Sequence, residues 1–182
     1  MQKIPNEALG RLDVETFKQA PKIPLTIVLD SVRSMHNVGS IFRTADAYRI
    51  EKILLCGTTP TPPHREIHKT ALGATESVEW AYYPDILQTL GNLKKAGYTL
   101  IAIEQATDAI TPADVPHICL QHQKFALIFG HEVLGVSQEA IDQCDYCLEL
   151  PQYGTKHSLN ISVCAGIVLY EFFNNLRARI SL

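Results

Sequence analysis

The strongest constraint on the fold of this chain is a strand, a polar loop and a long helix that follow one another over 146–176. The apolar run Tyr146–Leu150 predicts a short strand, which Pro151 ends. A polar loop follows over 152–157. Ser158 is placed to cap a helix, because its hydroxyl can accept a hydrogen bond from a free backbone N–H of the first turn. We therefore expect the helix to begin at Ser158.

This predicted helix has almost no polar face in its first half, where the apolar side chains are Leu159, Ile161, Val163, Cys164, Ile167, Val168, Leu169, Phe172 and Phe173. A helix that is apolar on all sides is expected to be buried on all sides. The polar residues Ser158 and Asn160 nevertheless stand at its start. A buried helix opened by a polar loop is a favourable place for a binding or catalytic site.

Apolar runs typical of strands alternate with helical patterns along the rest of the chain. Strands are predicted over 25–29, 52–56, 98–103, 124–129 and 146–150, and helices over 6–20, 38–48, 84–96, 138–143 and from 158 onward. Such alternation is typical of an α/β fold in which helices cover both faces of a mostly parallel sheet. We expect one domain over 25–182, preceded by an N-terminal helical extension over 1–24.

Length and composition favour a single globular domain, since 46% of the 182 residues are hydrophobic and 19% are charged. No apolar run is long enough to cross a bilayer, and the first residues lack the apolar core of a signal peptide. The five cysteines are odd in number and mostly have apolar neighbours, which is typical of reduced thiols. These features predict a cytoplasmic protein.

The spacing of cysteines and histidines does not predict a metal site. Cys144 and Cys147 form one CxxC pair, but this pair leads into a strand, and no second pair or matching histidines accompany it. The seven histidines show no HExxH spacing. The chain also lacks a GxGxxG after its first predicted strand and has no GxxxxGK[ST]. These absences disfavour a nicotinamide-binding fold and a P-loop.

The net charge of −3 does not by itself favour nucleic-acid binding, although one local basic patch is sufficient for it. Arg65, His68 and Lys69 form a short basic stretch, and an aromatic segment follows over 80–83. Cations beside exposed aromatic rings suit RNA, whose phosphates and unstacked bases are both contacted. A solvated surface loop is an equally good interpretation of this stretch.

Three polar residues are candidates for a functional site. Asn37 lies at the start of the second predicted helix, and Arg43 emerges from the mostly apolar part of the same helix. A helix cap and a surface ion pair are the simpler interpretations of these two residues. Glu132 follows the predicted strand 124–129, and ligands of open α/β sheets gather outside the carboxyl ends of the strands. Glu132 is therefore well placed for chemistry.

Three stretches taken together resemble the SpoU branch of the SPOUT RNA methyltransferases, also called the TrmH-like family. They are Asn37-Val-Gly-Ser-Ile-Phe-Arg43-Thr-Ala, Phe129-Gly-His-Glu132-Val-Leu-Gly and Leu150-Pro-Gln-Tyr-Gly154-Thr-Lys-His-Ser158-Leu-Asn160-Ile-Ser-Val. Each motif alone is weakly specific, but their order and internal spacing are highly specific together. The resemblance extends from about residue 25 onward, and the departures from the family pattern remove no functional position.

The resemblance implies a deep trefoil knot towards the C-terminus, with the loop 151–157 in the knot and the long helix behind it. It also implies that S-adenosylmethionine binds in the knot, where backbone groups hold its adenine. Gly130, Leu150 and Leu159 occupy the positions of cofactor contacts in the family. The residue types agree with this, because Gly130 has no side chain to block a ligand and the two leucines bracket the polar loop.

The chemistry implied by the resemblance is transfer of a methyl group to a ribose 2′-OH of RNA. The sulfonium already activates the methyl group, so the protein has to position the hydroxyl and help its proton leave. Arg43 matches the proposed catalytic arginine of the family. Because arginine is a poor base, we assign it phosphate clamping and ribose orientation. We expect Asn37, Glu132, Ser158 and Asn160 to orient Arg43, the ribose and the loops.

The resemblance also implies a homodimer with RNA bound across the two subunits. The apolar last helix supports this, since one domain leaves part of it as an exposed patch. We expect this patch to include Ala165, Gly166, Tyr170 and Phe173. The predicted N-terminal helix over 6–20 is a competing cover for the same surface.

We expect RNA contacts from Arg33, Arg65 and Lys69, which two subunits would pool into one groove. A tRNA target is favoured over ribosomal RNA. One alternative is a catalytically silent RNA-binding or assembly protein with the same fold, which the retention of all five polar motif residues disfavours. Another is a different α/β enzyme with a nucleotide cofactor, which the absence of a glycine-rich phosphate loop disfavours.

Overall fold

Strands and helices alternate in the computed structural model, which describes residues 1–181; residue 182, the end of the predicted domain, lies outside this range. The strands are β1 (Ile23–Asp30), β2 (Ile50–Cys56), β3 (Glu79–Tyr83), β4 (Thr99–Ile103), β5 (Phe125–Phe129) and β6 (Tyr146–Leu148). The α-helices are α1 (Val14–Gln19), α2 (Met35–Ala47), α3 (Arg65–Ala71), α4 (Ala74–Ser77), α5 (Ile86–Lys95), α6 (Val115–Gln121), α7 (Gln138–Ile141) and α8 (Ile161–Leu176). Short 3-10 turns occupy Asn6–Ala8, Pro112–Asp114 and Arg177–Ile180.

The six strands form one parallel sheet in the order β3-β2-β1-β5-β4-β6. In the middle of the sheet Val28 of β1 pairs with Leu54 of β2 on one side and with Ile128 of β5 on the other. The strand order reverses between β1 and β5. At such a switch point the connections leave in opposite directions and open a crevice at the carboxyl ends of the strands.

Helices cover both faces of the sheet, which confirms the predicted fold class. On one face α2, α6 and α8 pack against residues such as Ile27, Ile53 and Phe125. On the other face α5 and α7 pack against the strand residues that follow these in sequence, including Val28 and Leu54. Successive residues of a strand point to opposite faces, so a strand covered on both faces is apolar throughout.

The predicted N-terminal helix over 6–20 is wrong in its extent. Gly10 has a φ of +60°, which interrupts the helix, and α1 begins only after Asp13. The Asp13 carboxylate caps α1 by accepting a hydrogen bond from the backbone N–H of Thr16 at 2.8 Å. Among residues 7–20, only Phe17 is buried, and it joins the core. The segment packs against α4 and contributes little to the core.

The N-cap of the last helix lies two residues later than predicted, at Asn160, and the helix itself begins at Ile161. Asn160 caps α8, because its Oδ1 accepts hydrogen bonds from the backbone N–H groups of Ser162 at 2.9 Å and Val163 at 3.4 Å. Ser158 lies in the preceding loop and is exposed. Asparagine is at least as good an N-cap as serine.

The single chain buries only part of α8, so burial of this helix on all sides stays a prediction that requires a partner subunit. Ala165 and Phe172 are buried, whereas Val163, Ile167 and Tyr170 are exposed on one face. Within residues 1–181, no helix combines the length and apolar character that a membrane span requires.

Candidate active site

The first two motif segments meet at the switch point of the sheet. Glu132 follows β5, and its carboxylate accepts three hydrogen bonds from the segment that follows β1. Oε2 accepts from the backbone N–H of Arg33 at 2.9 Å, and Oε1 accepts from the backbone N–H of Ser34 at 2.9 Å and from Nδ2 of Asn37 at 3.2 Å. These contacts span 95 to 99 residues of sequence. Glu132 therefore joins the two central connections of the fold.

The surroundings of Glu132 favour its ionised form. Burial acts to raise the pKa of this carboxyl, but the backbone N–H groups of Arg33 and Ser34, with the Asn37 amide, outweigh it. The pKa of Glu132 is consequently below its ordinary value. Because each of its partners is a donor, only the carboxylate can accept all three bonds.

Asn37 extends this connection to the third motif. Its Nδ2 donates to Glu132, and its Oδ1 accepts a hydrogen bond from Nδ2 of Asn160 at 3.2 Å. The two bonds fix one orientation of the Asn37 amide. The cap interpretation of Asn37 is wrong, since Ser34 caps α2 by accepting from the Asn37 backbone N–H at 3.3 Å. Glu132, Asn37 and Asn160 thus form one hydrogen-bonded chain through all three motifs.

The loop after β5 folds back on itself beside Glu132. His131 and Gly135 exchange two backbone hydrogen bonds, at 3.0 and 2.8 Å. A side chain at position 130 would collide with the backbone of Gly135 and Val136. Gly130 is therefore required by the packing of the loop, which is a different reason from the ligand clearance expected for it.

Glu104 is a site residue that the sequence interpretation missed. It follows β4, and its Oε2 accepts a hydrogen bond from the backbone N–H of Val136 at 3.1 Å. A side chain at Gly135, which has a φ of +69°, would collide with the same carboxylate. The sequence feature that could have indicated Glu104 is the same one that indicated Glu132, namely an acidic residue directly after a buried strand.

A cavity of about 680 Å³, here called the motif cavity, opens beside these loops. Its lining includes the three residues expected to contact the cofactor, Gly130, Leu150 and Leu159, and three of those expected to act in catalysis, Glu132, Ser158 and Asn160. Glu104, Glu149 and Cys164 also line it. The volume lies within the usual range for small-molecule sites.

Arg43 is not brought into the motif cavity. It lies on the exposed surface of α2, six residues after Asn37 and hence about 9 Å further along the helix axis. The guanidinium is therefore available to a partner outside the motif cavity.

The three predicted RNA-binding residues are exposed around α2 and α3. Arg33 precedes α2, and Arg65 and Lys69 lie on α3. The two helices approach closely, since a side chain at Gly39 would collide with the carbonyl of Ile67. Glu66 partly offsets the basic charge, because its carboxylate lies 3.8 Å from Lys69 Nζ and also contacts His36. In the described range no three His, Cys, Asp or Glu side chains are grouped as a metal site would require.

Sequence comparison identifies relatives of this chain. The model of the SpoU rRNA Methylase family matches residues 24–170. A 23S rRNA (guanosine-2'-O-)-methyltransferase RlmB of Neisseria meningitidis is 32% identical over 148 residues, which cover 81% of this chain and 57% of that protein. A putative TrmH family tRNA/rRNA methyltransferase of Staphylococcus haemolyticus is 30% identical over 168 residues, which cover 88% of this chain and 64% of that protein. The chain thus spans less than two thirds of the length of these relatives.

Solved structures share the fold. The TrmH/SpoU tRNA modifying enzyme of A. aeolicus superposes with a TM-score of 0.77 at 24% identity, over 92% of this chain and 85% of that one. An AdoMet-bound rRNA methyltransferase of Sinorhizobium meliloti superposes with a TM-score of 0.75 at 26% identity, over 87% of this chain and 58% of that one.

Proposed function

Since the chain belongs to the SpoU rRNA methylase family, we propose that it transfers the methyl group of S-adenosylmethionine to a ribose 2′-OH of RNA. The observation that carries the proposal is the hydrogen-bonded chain of Glu132, Asn37 and Asn160 beside the motif cavity. Two relatives support it: the Neisseria protein is named a guanosine-2'-O-methyltransferase, and the Sinorhizobium structure contains AdoMet.

The lining of the motif cavity fits S-adenosylmethionine, which supplies an activated methyl group. Leu150 and Leu159 offer apolar surface to a flat adenine, and the loop 130–136 offers backbone groups to its edge. The carboxylates of Glu104 and Glu149 favour the positive charge of a sulfonium. We propose that this part of the chain forms the knot implied by the family resemblance.

The polar residues of the three motifs have separate roles in the proposed reaction. Glu132 keeps the two central loops together, because three N–H donors occupy its carboxylate. Asn37, Ser158 and Asn160 would orient the ribose at the mouth of the cavity. Arg43 would clamp an RNA phosphate, with Arg33, Arg65 and Lys69 binding the flanking backbone.

We favour tRNA over ribosomal RNA as the substrate, because these cations are confined to the small surface around α2 and α3. We also propose that the enzyme is a cytoplasmic homodimer. The five free cysteines support a reducing location. Burial raises the pKa of Cys144 to about 12 and the pKa values of Cys56, Cys119 and Cys164 to about 11. Thiols with such values are unreactive and behave as small core side chains.

Arg43→Ala tests the proposed function. We expect methyl transfer to be lost while the affinity for S-adenosylmethionine stays within about threefold, because Arg43 lies outside the motif cavity. Mass spectrometry of ribose methylation in tRNA and rRNA measures transfer, and isothermal titration measures cofactor binding. Arg11→Ala, an exposed arginine of the N-terminal segment, is the matched control. If wild type binds RNA but neither binds nor uses S-adenosylmethionine, the silent RNA-binding alternative is correct.

A further inference from the structure

A second cavity lies between the loop that follows β2 and one face of β3, on the other side of β1 from the motif cavity. It has a volume of about 460 Å³ and is lined by the loop 57–61 and by Trp80 and Tyr82 of β3. We propose that this aromatic cavity binds an unpaired nucleobase of the RNA substrate. The proposal rests on the proposed function for the identity of the RNA as ligand.

The two rings are arranged as a rigid stacking surface. Trp80 and Tyr82 are two residues apart on β3 and therefore project from the same face of the sheet. The Trp80 ring is half-buried against the core, whereas Tyr82 is 46% exposed. The Tyr82 hydroxyl donates to the carbonyl of Gly57 at 2.8 Å, which holds an exposed ring in place. A ring fixed before binding loses little entropy when a base stacks on it.

The loop 57–61 is equally fixed. The buried Thr59 hydroxyl donates to the carbonyl of Leu29 at 2.8 Å and accepts from the backbone N–H of Val32 at 3.0 Å. Thr58 and Thr61 remain at the surface of the same loop, where each hydroxyl can both donate and accept a hydrogen bond. The cavity thus combines flat aromatic surface with hydrogen-bonding groups, as the faces and edges of a nucleobase require.

Its position relative to the active site favours a base of the same RNA strand. All strands are parallel, so both cavities open at the same edge of the sheet. Adjacent strands are about 4.8 Å apart, and β2 and β3 are the second and third strands from β5, so the aromatic cavity lies roughly 10 to 14 Å from the strand that Glu132 follows, a distance that a few nucleotides of one strand can span. Arg33 follows β1, between the two sites, where it can contact the connecting phosphate. A proline-rich peptide would also fit aromatic surface but gives no role to this cation.

The segment that follows β1 links the two sites. Val32 bonds to Thr59 of the aromatic cavity, and the next two backbone N–H groups bond to Glu132. A base bound in the aromatic cavity therefore stabilises the same segment that Glu132 holds. We expect occupancy of this cavity to affect RNA affinity and the KM for RNA.

Fluorescence of Trp80 gives a direct test, because it is the single tryptophan of the chain. The full-length protein is excited where tyrosine does not absorb and is titrated with a tRNA transcript, a single-stranded oligoribonucleotide and a blunt RNA duplex. Labelled-RNA anisotropy measures binding in parallel. We expect the tRNA and the single strand to quench Trp80 at the concentrations at which they bind, and the duplex to bind without quenching. Equal quenching by the duplex, or RNA binding with unchanged emission, would overturn the proposal.

Variants of β3 test the contribution of the ring. Tyr82→Ala should weaken binding of single-stranded RNA at least about fivefold, whereas Tyr82→Phe keeps the ring and should bind within about twofold of wild type. Tyr83→Ala is the matched control, since Tyr83 is a similarly exposed aromatic that points to the opposite face of β3. Thermal melting checks that each variant is folded. Unchanged RNA affinity in a folded Tyr82→Ala protein would overturn the proposal, as would quenching by a proline-rich peptide but not by RNA.

The outcomes also separate this proposal from the proposed function. Trp80 quenching by RNA without any methyl transfer would leave the base site intact and remove the enzymatic activity. Methyl transfer to RNA with no change in Trp80 emission, and with normal RNA affinity in Tyr82→Ala, would leave the activity intact and remove the base site.

Discussion

Glu132 holds the segment after β1 most strongly while it is ionised, because its partners there are all N–H donors. Its pKa is lower in the folded protein than its ordinary value. A carboxyl with a lowered folded pKa contributes its full stabilisation above the unfolded pKa, about 4.3 for glutamate. That contribution is lost as the pH falls through the lower, folded pKa. Acid should therefore loosen this contact before the apolar core is affected.

Glu132→Gln tests this dependence at a single residue. A glutamine keeps the size of the side chain but turns an amide NH₂ towards backbone donors. We expect the free energy of unfolding to fall by about 1 kcal/mol at neutral pH, a value that allows for solvent screening, and the difference from wild type to shrink in acid. Urea denaturation across this pH range measures it. Glu79→Gln, at an exposed position on β3, should show no such trend. A Glu132→Gln deficit that persists unchanged in acid would contradict the assigned role.

At the scale of elements, the first turn of α8 joins helix stability to the site. Asn160 caps the helix through Oδ1 and contacts Asn37 through Nδ2. The usual alanine substitution removes both contacts, so loss of activity alone would not tell which one matters. A serine can replace the cap but is too short to reach Asn37.

We expect Asn160→Ala to lower the free energy of unfolding by about 1 kcal/mol and to reduce methyl transfer. Asn160→Ser should retain most of the stability, because serine is a comparable N-cap, and should still lose transfer. Chemical denaturation and a methyl-transfer assay on both variants separate the two contacts. Full activity in Asn160→Ser would mean that the bond to Asn37 is dispensable.

The elements that could be predicted from sequence are those whose burial produces a run or period of apolar residues in the sequence. β1 and β5 are covered on both faces, so their apolar runs stand out. The aromatic segment that was open to interpretation as a surface loop is the edge strand β3, whose residues are largely exposed. α3 and α4 are too short to show a helical period. α6 is absent from the predicted helices because a proline such as Pro116 favours a turn, although proline is tolerated in the first turn of a helix.

For the site, the motifs supplied the candidate residues, but local patterns could not show which of them meet. Asn37 and Asn160 are 123 positions apart, and their contact exists only in the folded chain. Ser158 and Asn160 are both good caps, so sequence alone does not decide where α8 begins. Glu104 resembles a surface charge until its bond to Val136 is seen.

At the scale of the whole molecule, α8 carries an apolar stripe that the rest of the described chain leaves uncovered. Val163, Ile167 and Tyr170 are 53%, 45% and 53% exposed, and their spacing places them on one helix face. Ala165, an expected member of this patch, is buried instead. The N-terminal helix, which was the competing cover for this surface, does not shield the stripe, since α1 packs against α4. The stripe continues onto Tyr48 at the end of α2, whose ring lies 6.0 Å from that of Tyr170.

We predict that this stripe is the interface of a homodimer and that the dimer is the active form. Closed two-fold pairing buries such a stripe against its own copy, and it gives Arg43, which lies outside its own motif cavity, a place beside RNA bound across both subunits. Sedimentation at micromolar concentration should show two chains for wild type and one for Ile167→Glu, with methyl transfer lost in the variant. Leu120→Glu, at an 82% exposed position on α6, should remain dimeric and active. A wild-type monomer that methylates RNA would rule the dimer out.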